Sequence, residues 1–224
     1  WYGVTYSVAL ATIPTSGTIG VSSTITFVDA NNFTVDGYLV GSNASSGVGL
    51  GQYTLANGAT YGNTNFTTFN NLCIAVGQYL TTAKSTGGLF TSLLGSPPSN
   101  GRYIESHKGR VFIANTSAGA SRLHYCYLNN PEDWTTIAGA STDAGYIDVG
   151  LDDGETITGI KTIGSVLLVF KQTSTWALFG SNATDFKVRK ISPNIGCAAP
   201  RSIVACDTFA IFLSNQGNRY IRHR

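Results

Sequence analysis

Charge is scarce in this sequence. Lys, Arg, Asp and Glu make up 12% of its 224 residues, about half of the ~25% usual for soluble domains. The formal balance is +2, which excludes a bulk basic field that would gather nucleic acid, and also an acidic tail. Long apolar runs are missing too. No stretch approaches the roughly 18 apolar residues of a membrane-crossing helix, so no membrane-spanning segment is expected. No signal-peptide pattern is visible. The four cysteines, Cys73, Cys126, Cys197 and Cys206, form no CxxC pair, and no histidine stands at zinc spacing, which argues against a metal centre. Cys73, Cys126 and Cys206 lie in or beside apolar strand candidates, where cysteine acts as a small buried hydrophobe; this reading is favoured over disulfides. Methionine is absent, and the chain runs from Trp1 to an Arg224 that follows a strand entering another hairpin. It is therefore expected to be a segment of a longer gene product.

What is present is β-forming. Gly is plentiful at 26 residues, aromatics reach 11%, and Ser, Thr and Asn fill the loops. Aromatics at this level do not belong to a disordered chain. The length suits one large all-β domain or two small ones. The organising stretch is Ile157–Gly180, ITGIKTIGSVLLVFKQTSTWALFG. Ser165–Phe170 is a continuous apolar run, short enough for a strand. Val166, Leu168 and Phe170 point one way, and Leu167 and Val169 the other, so both faces should be covered. Lys171-Gln172-Thr173-Ser174 reads as a hairpin turn, and Thr175–Phe179 returns with Trp176 and Leu178 on one side.

From Asn65 onward the unit recurs. Apolar strands at Asn71–Val76, Gly109–Ala114, Gly164–Val169 and Asp207–Phe212 each follow a turn signal. Each is preceded by a short strand (Asn65–Phe69, Tyr103–Ser106, Ile157–Thr162, Ser202–Ala205) and followed by another (Tyr79–Ala83, Arg122–Leu128, Thr175–Phe179, Arg219–Ile221). Antiparallel units of three to four strands recurring at about 40–50 residues have the spacing of propeller blades. A lone sheet cannot bury both faces, but stacked blades can. The expected fold is all-β and β-propeller-like, with about four blades over residues 61–224. A β-sandwich of irregular hairpins is the alternative that strand spacing also permits. The expected core includes Val111, Ile113, Val166, Leu168, Phe170, Trp176, Phe209 and Ile211. Residues 1–60 read as a small β module or insertion. Its strand candidates are Val4–Leu10, Thr24–Val28, Asn32–Leu39 and Gly51–Leu55, with Ser42–Gly51 as a low-complexity loop.

The motifs come in a definite order: RLHYCYL, NNPEDW, a strand ending Ile147-Asp148-Val149, DDGETITGIKTIGSVLLVFKQTSTWALFG, VRKISPNIGCAAPRSIV and LSNQG. Together they cover about residues 100–220. This order resembles the propeller-containing tail proteins of tailed bacteriophages, the tail hub or nozzle class of short-tailed phages. Residues before about 65 do not carry the resemblance. It implies a virion tail component that forms a ring below the portal and adaptor, with the genome leaving through the lumen. The implied partners are further copies of the chain, adjacent tail and adaptor proteins, and genomic DNA that passes without sequence-specific binding. It implies no cofactor and transfers no catalytic motif, so the chain is not expected to be an enzyme.

Beside that resemblance stand the chemical candidates of the residues themselves. No G-x-S-x-G elbow occurs. His107, His124 and His223 have no Ser or Cys partner legible in sequence. The acids gather at Glu132-Asp133, at Asp143 and Asp148, and at Asp152-Asp153-Glu155, where glycosidase-type carboxylate pairs would have to be found. Ser141-Thr142-Asp143-Ala144-Gly145 resembles the start of a sialidase-type Asp box but lacks its closing Thr and Trp. Asp148, Asp152, Asp153 and Glu155 form a weak calcium candidate, against which a solvated turn is favoured. Gly47–Gly51 lacks the Lys-Ser/Thr of a phosphate loop. Lys187, Arg189 and Lys190, and Arg219, Arg222, His223 and Arg224, are short basic groups, which suits scattered surface charge better than a specific DNA site. Trp134, expected to be exposed or half-exposed, Tyr146 and Tyr103 could stack on sugars. They support the alternative function, a carbohydrate-binding or glycan-cleaving propeller.

Overall fold

The computed structural model describes residues 5–8, 23–27, 33–36, 64–87, 90–206 and 208–222. The chain divides into two compact units, Trp1–Thr60 and Tyr61–Arg224. In the first, β1 (Thr5–Val8), β2 (Ser23–Phe27) and β3 (Phe33–Asp36) form an antiparallel sheet in sequence order. The Gly51–Leu55 strand candidate and the Ser42–Gly51 loop lie outside the described residues.

The described residues of the second unit form four antiparallel sheets. The first contains β4 (Thr64–Phe69), β5 (Leu72–Gly77), β6 (Leu80–Ser85) and β7 (Thr91–Ser92). The second contains β8 (Tyr103–His107), β9 (Arg110–Thr116), β10 (Gly119–Tyr125) and β11 (Gly145–Asp148). The third contains β12 (Ile157–Ile163), β13 (Val166–Lys171), β14 (Thr175–Phe179) and β15 (Lys187–Ser192). The fourth contains β16 (Val204–Cys206), β17 (Phe209–Ser214) and β18 (Gly217–Arg222), entered through a 3-10 turn at Pro200–Ser202. Every sheet is a meander of consecutive strands, the blade-like arrangement expected from the repeat. Two of the turns have positive φ at successive residues, Asn70-Asn71 and Lys108-Gly109. This backbone geometry matches the right-handed twist of the strands it joins.

The sheets stack in chain order, and strand alternation decides how. Val111 and Ile113 on β9 pack with Ile74 and Val76 of the first sheet. Phe112 and Ala114, on the opposite face, pack with Leu167 and Val169 of the third. On β13 the other parity, Val166, Leu168 and Phe170, meets Ala210 and Phe212 of the fourth. All seven β9 residues and all six β13 residues are buried. Removing each large apolar side chain from water contributes about 1.5–3 kcal/mol, so the two strands with both faces covered are the energetic centre of the unit.

Three of the expected core residues are placed differently. Ile211 is 44% exposed and Phe209 is half-buried, because β17 turns Ala210, Phe212 and Ser214 inward. In FAIFLS both parities are apolar, and the Phe170–Phe212 contact, with ring centroids 4.8 Å apart, selects the one that faces in. Trp176 is half-buried and lies along the edge of the cluster between the second and third sheets. The remaining five, Val111, Ile113, Val166, Leu168 and Phe170, are buried.

The Ile191–Arg201 segment crosses from the third sheet to the fourth and is stitched to both. The Cys197 amide donates to Lys171 O at 2.9 Å and the Ala198 amide to Leu213 O at 3.0 Å. The hydroxyls of Thr175 and Thr158 donate to Ile195 O at 2.6 Å and Cys197 O at 2.9 Å. Gly196 lies so close to the neighbouring strand that a Cβ would come within 2.3 Å of Lys171 O and 2.5 Å of Gln172 C. Since the obstacle is backbone, Gly196→Ala should cost about 1–3 kcal/mol. A urea titration of the variant checks this, and an unchanged midpoint would remove the close approach.

Candidate functional site

The motif residues converge on the seams between sheets. The first seam is closed by the Asn130–Trp134 turn. Pro131 O accepts from Trp134 Nε1 at 2.7 Å, and the indole is buried in the cluster between the first and second sheets. Glu132 reaches the first sheet, where its Oε1 accepts from Lys84 Nζ at 2.6 Å and from the Leu94 amide at 3.2 Å. The hydrogen bond from Lys84 is the main reason the Glu132 carboxyl lies below its ordinary range. Asp133 caps the following turn through the amides and hydroxyl of Thr135 and Thr136. Trp134, expected at the surface, is thus a buried plug, because its one polar atom is satisfied within its own turn.

Arg110 is the first residue of β9, an inner strand of the second sheet. It is fully buried and donates to Cys126 O at 2.5 Å, Asp143 O at 2.6 Å and Ser141 O at 2.8 Å. Its guanidinium also lies 5.3 Å from the Tyr125 ring and 5.7 Å from that of Phe186. Burial pushes its pKa down, yet guanidinium stays charged in proteins. The carboxylate of Asp143 turns the other way. Its Oδ2 accepts from the amides of Ala138, Gly139 and Ala140 at 2.5, 2.7 and 3.0 Å. Burial alone raises the Asp143 carboxyl, but these donors outweigh it and hold it below its usual range. The partial Asp box is therefore a turn whose acid is consumed by the backbone.

Lys171 forms the third clasp. Expected in a hairpin turn, it is the last residue of β13 and its side chain is fully buried. Its ammonium donates to Asp153 Oδ1 at 2.6 Å and Gly150 O at 2.9 Å. Burial raises the Asp153 carboxyl, but Lys171 and the Glu155 amide overcome this and hold it below the ordinary value. Asp153→Asn leaves a buried ammonium without its counter-charge, so the expected loss is about 3 kcal/mol. Lys171→Met in the same background should recover part of it. Denaturant midpoints of the single and double variants check this; a double variant no better than Asp153→Asn alone would remove the coupling.

The four calcium candidates do not share a site. Asp148 accepts from Arg122 at 2.8 and 3.1 Å, Asp153 serves Lys171, and Glu155 accepts from the Thr173 amide at 2.9 Å and the Ser174 hydroxyl at 3.1 Å. Asp152 is exposed. No group of three or more His, Cys, Asp or Glu able to hold a metal occurs among the described residues.

Two histidines are held neutral. His107 is buried, with Nδ1 3.4 Å from the Thr162 hydroxyl and no hydrogen-bond partner for Nε2. Burial, aided by neighbouring Lys108, pushes its pKa down to about 4. His124 is also pushed down to about 4 by burial and Arg122. A lowered folded pKa means that the unfolded chain binds the proton first, so this contribution is whole above pH 6.5 and fades as pH falls toward 4. For His107 it amounts to about 3 kcal/mol. Denaturant titrations across this window should show stability falling with acid, and His107→Gln should flatten the slope. An equal slope in the variant would mean that other groups carry the effect.

The remaining candidates are dispersed. All four cysteines are free thiols; Cys126 and Cys197 are buried and Cys73 and Cys206 are half-buried. Burial raises the Cys126 thiol to about 11, which leaves it unreactive. Tyr146 is exposed, but Arg122 lies 3.8 Å over its ring. Tyr103 is half-buried against the core between the second and third sheets. Lys187, Arg189 and Lys190 lie along edge strand β15; Lys190 is 4.8 Å from the Trp176 ring and Arg189 5.8 Å from that of Phe179. Such charges keep an edge from pairing with foreign strands. His223 and Arg224 lie outside the described residues. No helix among the described residues is long and apolar enough to cross a membrane.

Arg110 and Lys171 were not singled out from the sequence. The available signal was a single cation at the end of an apolar run, in RVFIA and VLLVFK, where a strand buried on both faces leaves no route to solvent. No protein-family model matches the chain, and no curated protein matches it.

Proposed function

We propose that this chain is a structural component of a bacteriophage tail, a blade-forming segment of a hub or nozzle ring that lines the route of genome ejection. One observation carries the reading. The motifs that give the resemblance, NNPEDW, DDGET with VLLVFK, and NIGC, coincide with the clasps between successive sheets: Trp134 and Glu132 at the first seam, Lys171 with Asp153, and the stitched crossing at Gly196 and Cys197. They are what a stiff stacked wall needs. The function is mechanical: sheets that share cores resist shear, and the loops at their edges meet adjacent tail and adaptor proteins. A near-neutral surface lets DNA slide past with few phosphate contacts to break. The glycan alternative has less to stand on, because Trp134 is buried, Tyr146 is covered on one face by Arg122, and the Asp143 carboxylate is occupied.

Negative-stain electron microscopy of the full-length gene product, alone and mixed with detached tails or portal complexes, tests the proposal. Rings with a central channel that join the tail are expected. Dispersed particles that never join a tail would overturn it, and a glycan array would then be the next experiment.

A further inference from the structure

One cleft of the second unit gathers cations and hydrogen-bond donors. Its walls come from three places inside the unit: the β5–β6 turn at Gln78, the start of β8 at Arg102 and Tyr103, and the end of the crossing segment at Ala199, Pro200 and Arg201. Its volume is about 300 Å³, the lower end of the range for small-molecule sites. No acidic side chain lines it among the described residues. A second groove shares Tyr103, Pro200 and Arg201 with it. The acid of that groove, Glu105, already accepts from Lys161 Nζ at 3.1 Å and from the Thr162 amide at 3.3 Å.

Arg102 and Tyr103 stand out for the bonds they leave unmade. Arg102 is exposed, and its guanidinium takes part in no hydrogen bond or ion pair among the described residues. Arg110 and Arg122, by contrast, are spent on backbone carbonyls and on Asp148. Tyr103 is half-buried, and its hydroxyl likewise has no hydrogen-bond partner among the described residues, although a buried phenol ordinarily finds one. Burial raises the Tyr103 pKa and the nearby Arg102 charge pulls it down, so the two groups share one space. The backbone beneath them is fixed. The Arg102 amide donates to Ala114 O and Asn115 O, both at 3.1 Å, and its carbonyl accepts from Asn65 Nδ2 at 2.5 Å. On the far wall, Ala199 O accepts from the Ser202 amide at 2.9 Å and from its hydroxyl at 2.6 Å, which holds the Pro200 turn. Gln78 donates one amide hydrogen to the Tyr79 hydroxyl at 3.0 Å, and its side chain has a second to give.

We propose that this cleft binds an organic phosphate. Arg102 and Arg201 meet its charge, the Tyr103 hydroxyl and the Gln78 amide complete the donor set, and the body of the ligand rests on Pro200 toward the second groove. A planar carboxylate is satisfied by the fork of one guanidinium. Donors set on three separate elements suit a tetrahedral oxyanion instead. Their fixed backbone lets them bind without the cost of ordering a loop. The site is independent of the tail reading, and either can fail alone.

Isothermal titration calorimetry of the full chain at constant ionic strength tests this, with inorganic phosphate, phenyl phosphate and benzoate as probes. Phenyl phosphate and benzoate share a ring and differ in the oxyanion. Arg102→Ala changes an exposed residue and Tyr103→Phe removes only a hydroxyl; circular dichroism checks that both are folded. Phenyl phosphate should bind saturably at one site, more tightly than inorganic phosphate. Arg102→Ala should weaken it about tenfold or more, the scale of a hydrogen bond to a charged group, and Tyr103→Phe about fivefold. Arg189→Ala, on edge strand β15, should change nothing. No saturable binding by the wild type overturns the proposal. So does binding that Arg102→Ala leaves intact, or an equal loss with Arg189→Ala, which would mean attraction by diffuse charge. Benzoate binding as tightly as phenyl phosphate would overturn the choice of phosphate.

Discussion

Arg110→Ala should be among the most damaging single substitutions in the blade unit, lowering its stability by about 3–5 kcal/mol. The guanidinium bridges three backbone carbonyls, those of Cys126, Ser141 and Asp143, and so holds the long connection between β10 and β11 against β9. Truncation strands those acceptors away from water, and each buried unsatisfied polar group costs about 1–3 kcal/mol. Hydrogen bonds from a charged donor lie at the upper end of that scale. Arg110→Lys should fail nearly as badly, since one ammonium on a shorter stem does not reproduce the planar fork. Chemical denaturation of wild type and both variants measures the loss. A lysine variant within about 0.5 kcal/mol of wild type, the usual range of neutral surface changes, would mean that the carbonyls find other donors and that the fork is dispensable.

Phe170→Ala should be of similar size, about 3–5 kcal/mol by the usual cost of emptying a buried phenylalanine site. For a unit of this length that corresponds to a fall in Tm of roughly 10 °C. Phe170 is fully buried and meets Phe212 across the seam between the third and fourth sheets. Ala210 and Cys197 belong to the same cluster, so relaxation into the cavity would have to move both a strand and the crossing segment. A double-mutant cycle with Phe212→Ala should return a coupling of about 0.5–1.5 kcal/mol for the ring pair. Strictly additive losses would show that the two rings do not act on one another and that the seam is held by burial alone.

Both positions illustrate what could and could not be read from the chain. The strand triplets were legible because hairpin periodicity is local. Tyr103–Ser106, Ile157–Thr162 and Thr175–Phe179 fall inside the strands β8, β12 and β14, and Gly109–Ala114 overlaps β9 but starts one residue before it, since alternating or continuous β-branched runs between turn residues leave the backbone few other options. The turn at Lys108-Gly109 was legible for a related reason: glycine tolerates the positive φ that the tight hairpin requires. The need for cover on both faces of Val166–Phe170 also followed from composition alone, because no polar parity exists to face water.

Tertiary structure decided sidedness and the fate of polar groups. In β17 both parities are apolar, so nothing local distinguishes Ile211 from Phe212; the position of Phe170 on the neighbouring sheet does. Trp134 follows a proline and two acids, a surface composition, yet is buried because Pro131 O takes its indole proton and the first sheet supplies the walls. Lys171 looked like the start of a turn and became a buried cation because Asp153 and Gly150, brought to it by the β11–β12 connection, supply its acceptors. Asp148, Asp153 and Glu155 lie near one another along the chain but diverge to Arg122, Lys171 and Ser174. The sequence by itself determined a repeating all-β unit that must bury both faces of its central strands, since backbone periodicity and residue volume are local properties. Which face meets which neighbour, and which charges are drawn inside, depended on partners distant in sequence, and only the stacked structure brings those together.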